Sequence, residues 1–137
     1  MTRVCLDSNV WVAAFASRGL CADLVRLVLT EHEPIVPEVV VEEVRRMLRE
    51  KLALSQAALA AAEALLVRCE IGPRSAGPPP IEVRDPDDER VLADAIAAAA
   101  EILVTGDEDL LTVAGGSPIR ILSPRAFMTL ARGGAGS

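Results

Sequence analysis

Short apolar runs alternate along the chain with longer stretches in which apolar residues recur every three or four positions. Val4-Cys5-Leu6 is continuous and stops at Asp7-Ser8-Asn9, which predicts a buried strand followed by a helix start. Positions 20–29 carry Leu20, Leu24, Leu27 and Val28 at helical spacing, and Pro34-Ile35-Val36 is a second strand candidate. From 37 to 52, Val40, Val44, Met47 and Leu48 interleave with arginines, the pattern of an amphipathic helix with Glu38, Glu42 and Glu43 in its early turns. An Ala- and Leu-rich helix over 55–67 has Ser55 as its cap, and 69–72 predicts a strand at a sheet edge. The Pro- and Gly-rich stretch 72–80 is a surface loop. A helix is expected over about 87–100, then strands at 102–105 and 119–122, and a last helix with Ser123 as cap and Pro124 in its first turn. Short apolar strands alternating with helices predict an α/β fold around a doubly wound parallel sheet, whose ligands sit outside the carboxyl ends of the strands. No internal repeat is present. One domain is expected over 1–132, with 133–137 a disordered tail.

Composition narrows this picture. The chain has 137 residues, 51% hydrophobic and 25% charged, enough for one globular core. Its aromatics are Trp11, Phe15 and Phe127 alone, which argues against base-stacking modes of nucleic-acid binding. The net charge of −6 argues against a broad basic face. Thirteen of the 14 basic residues are arginine, with Lys51 the single lysine. Cys5, Cys21 and Cys69 form no CxxC pattern and suit buried positions in a reducing compartment. His32 is the one histidine, so neither a His-based metal set nor a Ser-His-Asp triad can be assembled. Arg3 and Asp7 interrupt the start against a signal peptide, and no apolar run reaches transmembrane length; no membrane contact and a cytoplasmic location are the expectation.

The acids carry the candidate chemistry. Taken singly, Asp7 suits a helix cap, Asp107 and Asp109 a polar turn, and Asp85, Asp87, Asp88 and Glu89 the favourable end of a helix dipole. Glu42 and Glu43 suit a solvated helix face. Taken jointly, Asp7 and Asp107 end the two most apolar strands, which this fold sets side by side at the ligand crevice. Carboxylates converging there repel one another unless a cation lies between them. Mg²⁺ and Mn²⁺ suit such oxygen donors, and activate water and neutralise charge in phosphodiester hydrolysis.

Val4-Cys5-Leu6-Asp7-Ser8-Asn9-Val10 resembles the first motif of PIN domains, an apolar strand followed by Asp-x-Asn. Glu43, followed by Val44 and Leu48, is similar to the family's second acid, although Glu42 beside it leaves two choices. Asp85-Pro86-Asp87-Asp88-Glu89-Arg90-Val91-Leu92-Ala93 resembles the third motif, and Leu103-Val104-Thr105-Gly106-Asp107-Glu108-Asp109-Leu110-Leu111 the fourth, the most specific of them. Ile121-Leu122-Ser123-Pro124-Arg125-Ala126-Phe127-Met128 resembles the usual ending. The resemblance spans nearly the whole chain and is greatest to the bacterial and archaeal VapC-like toxins of type II toxin–antitoxin systems. It implies a three-layer α/β/α PIN fold with a mostly parallel sheet, Mg²⁺- or Mn²⁺-dependent endoribonuclease activity on RNA, a homodimer and an antitoxin partner. It aligns Asp7, Glu43, Asp88 and Asp107 as the catalytic, metal-binding acids, with Asp109 as a fifth ligand and Asn9 and Thr105 as the residues that orient them.

Rivals fare worse. A phosphoacceptor receiver or a haloacid-dehalogenase-type phosphatase needs a late lysine, and Lys51 is early. GxxxxGK[ST] and GxGxxG are absent, excluding P-loop and Rossmann sites. A PIN-like module that binds RNA or protein without cutting remains the alternative; it gains nothing from buried like charges.

Overall fold

The computed structural model describes residues 2–136. Its first strand β1 (Arg3–Leu6) leads into α1 (Ser8–Ala16) and α2 (Leu20–Glu31), then β2 (Glu33–Pro37), α3 (Glu38–Glu50), α4 (Gln56–Leu66) and β3 (Glu70–Gly72). Helix α5 (Pro86–Ala97), β4 (Ile102–Val104), α6 (Glu108–Thr112), a 3-10 turn (Ala114–Gly116), β5 (Arg120–Leu122) and α7 (Pro124–Gly136) complete it. The strands form one sheet in the order β3-β2-β1-β4-β5, and every pairing is parallel. Parallel neighbours require crossovers, and right-handed crossovers put helices on opposite faces once the chain reverses direction across the sheet. Accordingly α1 packs on α2 and α3, α2 on α7 and α3 on α4, whereas α5 packs on α6. The architecture is a three-layer α/β/α sandwich, and the expected edge strand near 69–72 is β3.

Both faces of the sheet are covered, so its inner strands are apolar throughout. Val4, Cys5, Leu6, Leu103 and Val104 are wholly buried. Trp11 is wholly buried and stacks on Phe15 at 5.9 Å. Ser55 caps α4 by accepting from the Ala58 N–H, and Ser123 accepts from that of Ala126 at the start of α7. The tail expected to be disordered, 133–137, falls on the end of α7 and on Ser137, which lies outside the described residues.

Two elements differ from expectation. Helix α5 ends at Ala97 rather than near 100, because Ala99 turns into the left-handed region (φ 62°). The Ala100 N–H then reaches back to the Ala95 carbonyl and that of Ala99 to Ile96, a Schellman-type stop built without glycine. Helix α6 is one short turn-and-a-half after β4, too brief for a periodic signature; Asp107 starts it by accepting from the N–H groups of Asp109 and Leu110.

Candidate active site

The chain leaves β1 toward β2 on one side, and returns to pair β4 with β1 on the other. The carboxyl ends of β1 and β4 therefore flank the point where the strand order reverses, where this class of sheet leaves a crevice. Asp7 follows β1 directly, its N–H bonded to the Val104 carbonyl at 3.0 Å, and it is 3% exposed. Its Oδ1 accepts from the Ser8 N–H at 2.8 Å; its Oδ2 accepts from Thr105 Oγ1 at 2.7 Å and Asn9 Nδ2 at 3.1 Å. Thr105, wholly buried, also accepts from the Asp107 N–H at 3.0 Å, and Asn9 Oδ1 accepts from the Gly106 N–H at 3.0 Å. These contacts tie the turn after β1 to the turn after β4. Burial raises the Asp7 carboxyl above its ordinary range; the bonds from Thr105 and Ser8 oppose this, and the charges of Glu43 and Asp107 add to it.

Adjacent on α3, the two glutamates separate by helical geometry. Glu43 turns to the crevice, where its Oε1 accepts from Ser8 Oγ at 2.6 Å. Glu42 turns outward to an ion pair with Arg74. Of the two, Glu43 shares the crevice with Asp7.

Asp88 lies in the first turn of α5, while Asp85 is extended and caps that helix through the Asp87 N–H at 2.8 Å. Asp88 Oδ2 is buried and has no hydrogen-bond partner among the described residues. Burial, then the charge of Asp107 and a hydrogen bond with it, then the charges of Asp7 and Asp85, push the Asp88 carboxyl up to about 7. Asp7, Glu43, Asp88 and Asp107 line one cleft of about 110 Å³ together with Asp87 and Met47. Among the described residues, Asp85, Asp88 and Asp109 each bring one carboxylate oxygen to within 4.8 Å of the other two. Asp88 thus belongs to both groupings. Asp109 pairs with Arg84, whose Nε lies 2.9 Å from its Oδ1.

Residues 3–109 match the model of the PIN domain. The chain belongs to the PIN-domain family. No curated protein matches it in sequence. Solved structures similar to this PIN domain include VapBC2 from Rickettsia felis bound to a DNA fragment from their promoter, at 18% identity and TM-score 0.62, covering 88% of this chain and 97% of that one. DNA-bound VapBC from Salmonella typhimurium follows at 17% and 0.65, covering 90% and 99%. A domain of a functionally unknown protein from Methanocaldococcus jannaschii has 18% identity and TM-score 0.58, covering 88% and 89%. At these identities the likeness is one of fold.

Three features of this PIN domain escaped sequence reasoning. Ser8 was legible as a helix-start residue but not as the donor that orients Glu43. Asp85 lies close to Asp88 and Asp109 although it stands outside the helix. Asp94, wholly buried in α5, accepts from the Ser75 N–H at 3.0 Å and Ser75 Oγ at 2.6 Å, and nothing in its neighbourhood in sequence marks it out from a surface acid.

Proposed function

We propose that this PIN domain is a Mg²⁺- or Mn²⁺-dependent endoribonuclease, the toxin of a toxin–antitoxin pair, working as a homodimer in the cytoplasm. The observation that carries the reading is the convergence of Asp7, Glu43, Asp88 and Asp107 on one cleft, with a buried Asp88 oxygen left without a donor. That donor set fits a hard divalent ion: it is all oxygen, with neither His nor Cys facing the cleft. Asp7, Asp88 and Asp107 would hold the ion with Glu43, and Asp109 beyond them. A bound ion supplies an acidified water and a positive charge against a phosphoryl oxygen. Ser8, Asn9 and Thr105 orient the carboxylates, so little reorganisation is needed when substrate enters. Asp88 would give up its proton to hold the ion, and Asp109 is paired with Arg84. The likeness to VapBC assemblies supports an antitoxin as the protein partner. No helix among the described residues is long and apolar enough to cross a membrane.

The test is cleavage of RNA by purified protein with Mn²⁺ or Mg²⁺ and its arrest by EDTA. Asp7→Asn and Asp88→Asn should each cut the rate by at least about a hundredfold while circular dichroism stays native, since each removes a ligand charge at nearly constant shape. Full activity in Asp7→Asn would place the chemistry elsewhere, and absence of metal-dependent cleavage in the parent would leave a binding-only module.

A further inference from the structure

The acid cleft shares Glu43, Asp87 and Val91 with a larger groove of about 540 Å³, walled by α3, α5 and the segment after β3. Among the acids of that groove, Glu42, Glu43, Glu50 and Asp87, stand four arginines: Arg46 and Arg49 from α3, Arg74 from the segment and Arg90 from α5. They are not equivalent. Arg46 and Arg49 are exposed and make no ion pair among the described residues. Arg45, their neighbour on the same helix, turns the other way and pairs with Glu63 on α4. Arg74 pairs with Glu42, but both side chains are more than half exposed, so water screens the pair and an arriving phosphate can displace it.

The segment carrying Arg74 is anchored from below. Buried Asp94 accepts from the N–H and Oγ of Ser75, and Arg90 donates to the same Oγ at 2.8 Å while its Nε lies 3.4 Å from Asp94. These bonds staple residue 75 to α5 and set Arg74 opposite α3. Guanidinium groups match phosphate oxygens with two parallel donors, and at a net charge of −6 capture of a polyanion must be local. The surface beyond about 8 Å is screened at physiological salt.

We propose that this groove seats the phosphodiester backbone of the RNA beside the bond to be cut, with Arg46, Arg49 and Arg74 as its phosphate contacts. This rests on the ribonuclease reading for its substrate. The groove offers no aromatic side chain on which bases could stack, and contacts to phosphate position the strand without reading its sequence.

The experiment measures binding of a fluorescent single-stranded RNA by anisotropy in EDTA, over a range of salt, with cleavage in Mn²⁺ measured in parallel. Arg46→Ala/Arg49→Ala should weaken binding on the order of tenfold and make the slope of log K against log salt shallower by about 1.4, two lost phosphate contacts on a single strand. The charge-matched Arg26→Ala/Arg45→Ala should leave that slope as in the parent. Equal losses in the two double variants would reduce the effect to net charge and overturn the proposal, as would no loss in the first. A parent that binds through these arginines yet does not cut keeps the groove and sinks the ribonuclease reading. A parent that cuts while the first variant binds unchanged does the reverse, and a parent that neither binds nor cuts overturns both.

Discussion

Asp7 and Asp88 line the same cleft under opposite conditions. Asp7 accepts three hydrogen bonds, so an amide in its place would turn an N–H toward a donor whichever way it flipped. Asp88 has a buried oxygen with no donor and a carboxylate, Asp107, beside it. An amide there would donate to Asp107 and remove a like charge. Thermal melts in EDTA should therefore move in opposite directions: Asp88→Asn up by roughly 3–5 °C, corresponding to about 1 kcal/mol, and Asp7→Asn down. A fall for Asp88→Asn would mean that its orphaned oxygen carries no penalty in the folded chain.

Among the elements, α5 does more than pack on α6. Its start presents Asp88 to the cleft, its middle buries Asp94 under Ser75, and its end is closed by Arg3, whose Nη2 donates to the Ala98 carbonyl at 2.7 Å and whose Nε donates to that of Ala99 at 3.2 Å. Those donors satisfy carbonyls that a helix end otherwise leaves open, and they suit the negative end of the helix dipole. The cost lies at Ala99, an exposed alanine held at φ 62° where glycine is the natural occupant. Ala99→Gly should raise the melting temperature by about 2–4 °C, the relief of strain outweighing the added freedom of the unfolded chain by up to about 1 kcal/mol. No change or a fall would show that the Arg3 contacts already remove the strain.

For the molecule as a whole, the clustered acids predict an unusual response to pH. The folded Asp88 carboxyl titrates near 7, against an ordinary value of 3.8, and Asp7 is raised as well. Between those pH values the folded chain holds protons that the unfolded chain has released, so this contribution to stability is complete below about pH 4 and is lost as pH rises toward 7. Glu70 acts the other way: Arg3 lowers its carboxyl, so its contribution is lost only on acidification below its ordinary value of 4.5. In EDTA the melting temperature should thus fall between about pH 5 and about pH 8. Saturating Mn²⁺ should reverse the trend, because the ion replaces the proton. At a hundredfold excess over Kd it adds about 2.7 kcal/mol, a rise of roughly 5–10 °C. A flat profile in EDTA together with no metal response would mean that the cleft acids act as caps and turns.

Much of this is legible in the sequence alone. The continuous apolar runs at Val4-Cys5-Leu6 and Leu103-Val104 determined two buried parallel strands, because only a sheet covered on both faces tolerates strands without polar alternation. The residue types at their ends determined which acids were candidates, and the alternation of strands and helices determined the layered α/β fold. The tertiary structure decided what depends on direction in space. It turned Glu43 inward and Glu42 outward, since neighbours on a helix point about 100° apart and sequence does not say which faces the sheet. It ended α5 early at the left-handed turn of Ala99, where Arg3 meets the carbonyls of Ala98 and Ala99 from across the chain. It brought Asp85 and Asp109 beside Asp88, and it sorted the arginines into those already paired and those still exposed. Such outcomes rest on which side chains meet across the sheet, a long-range property that local patterning does not encode.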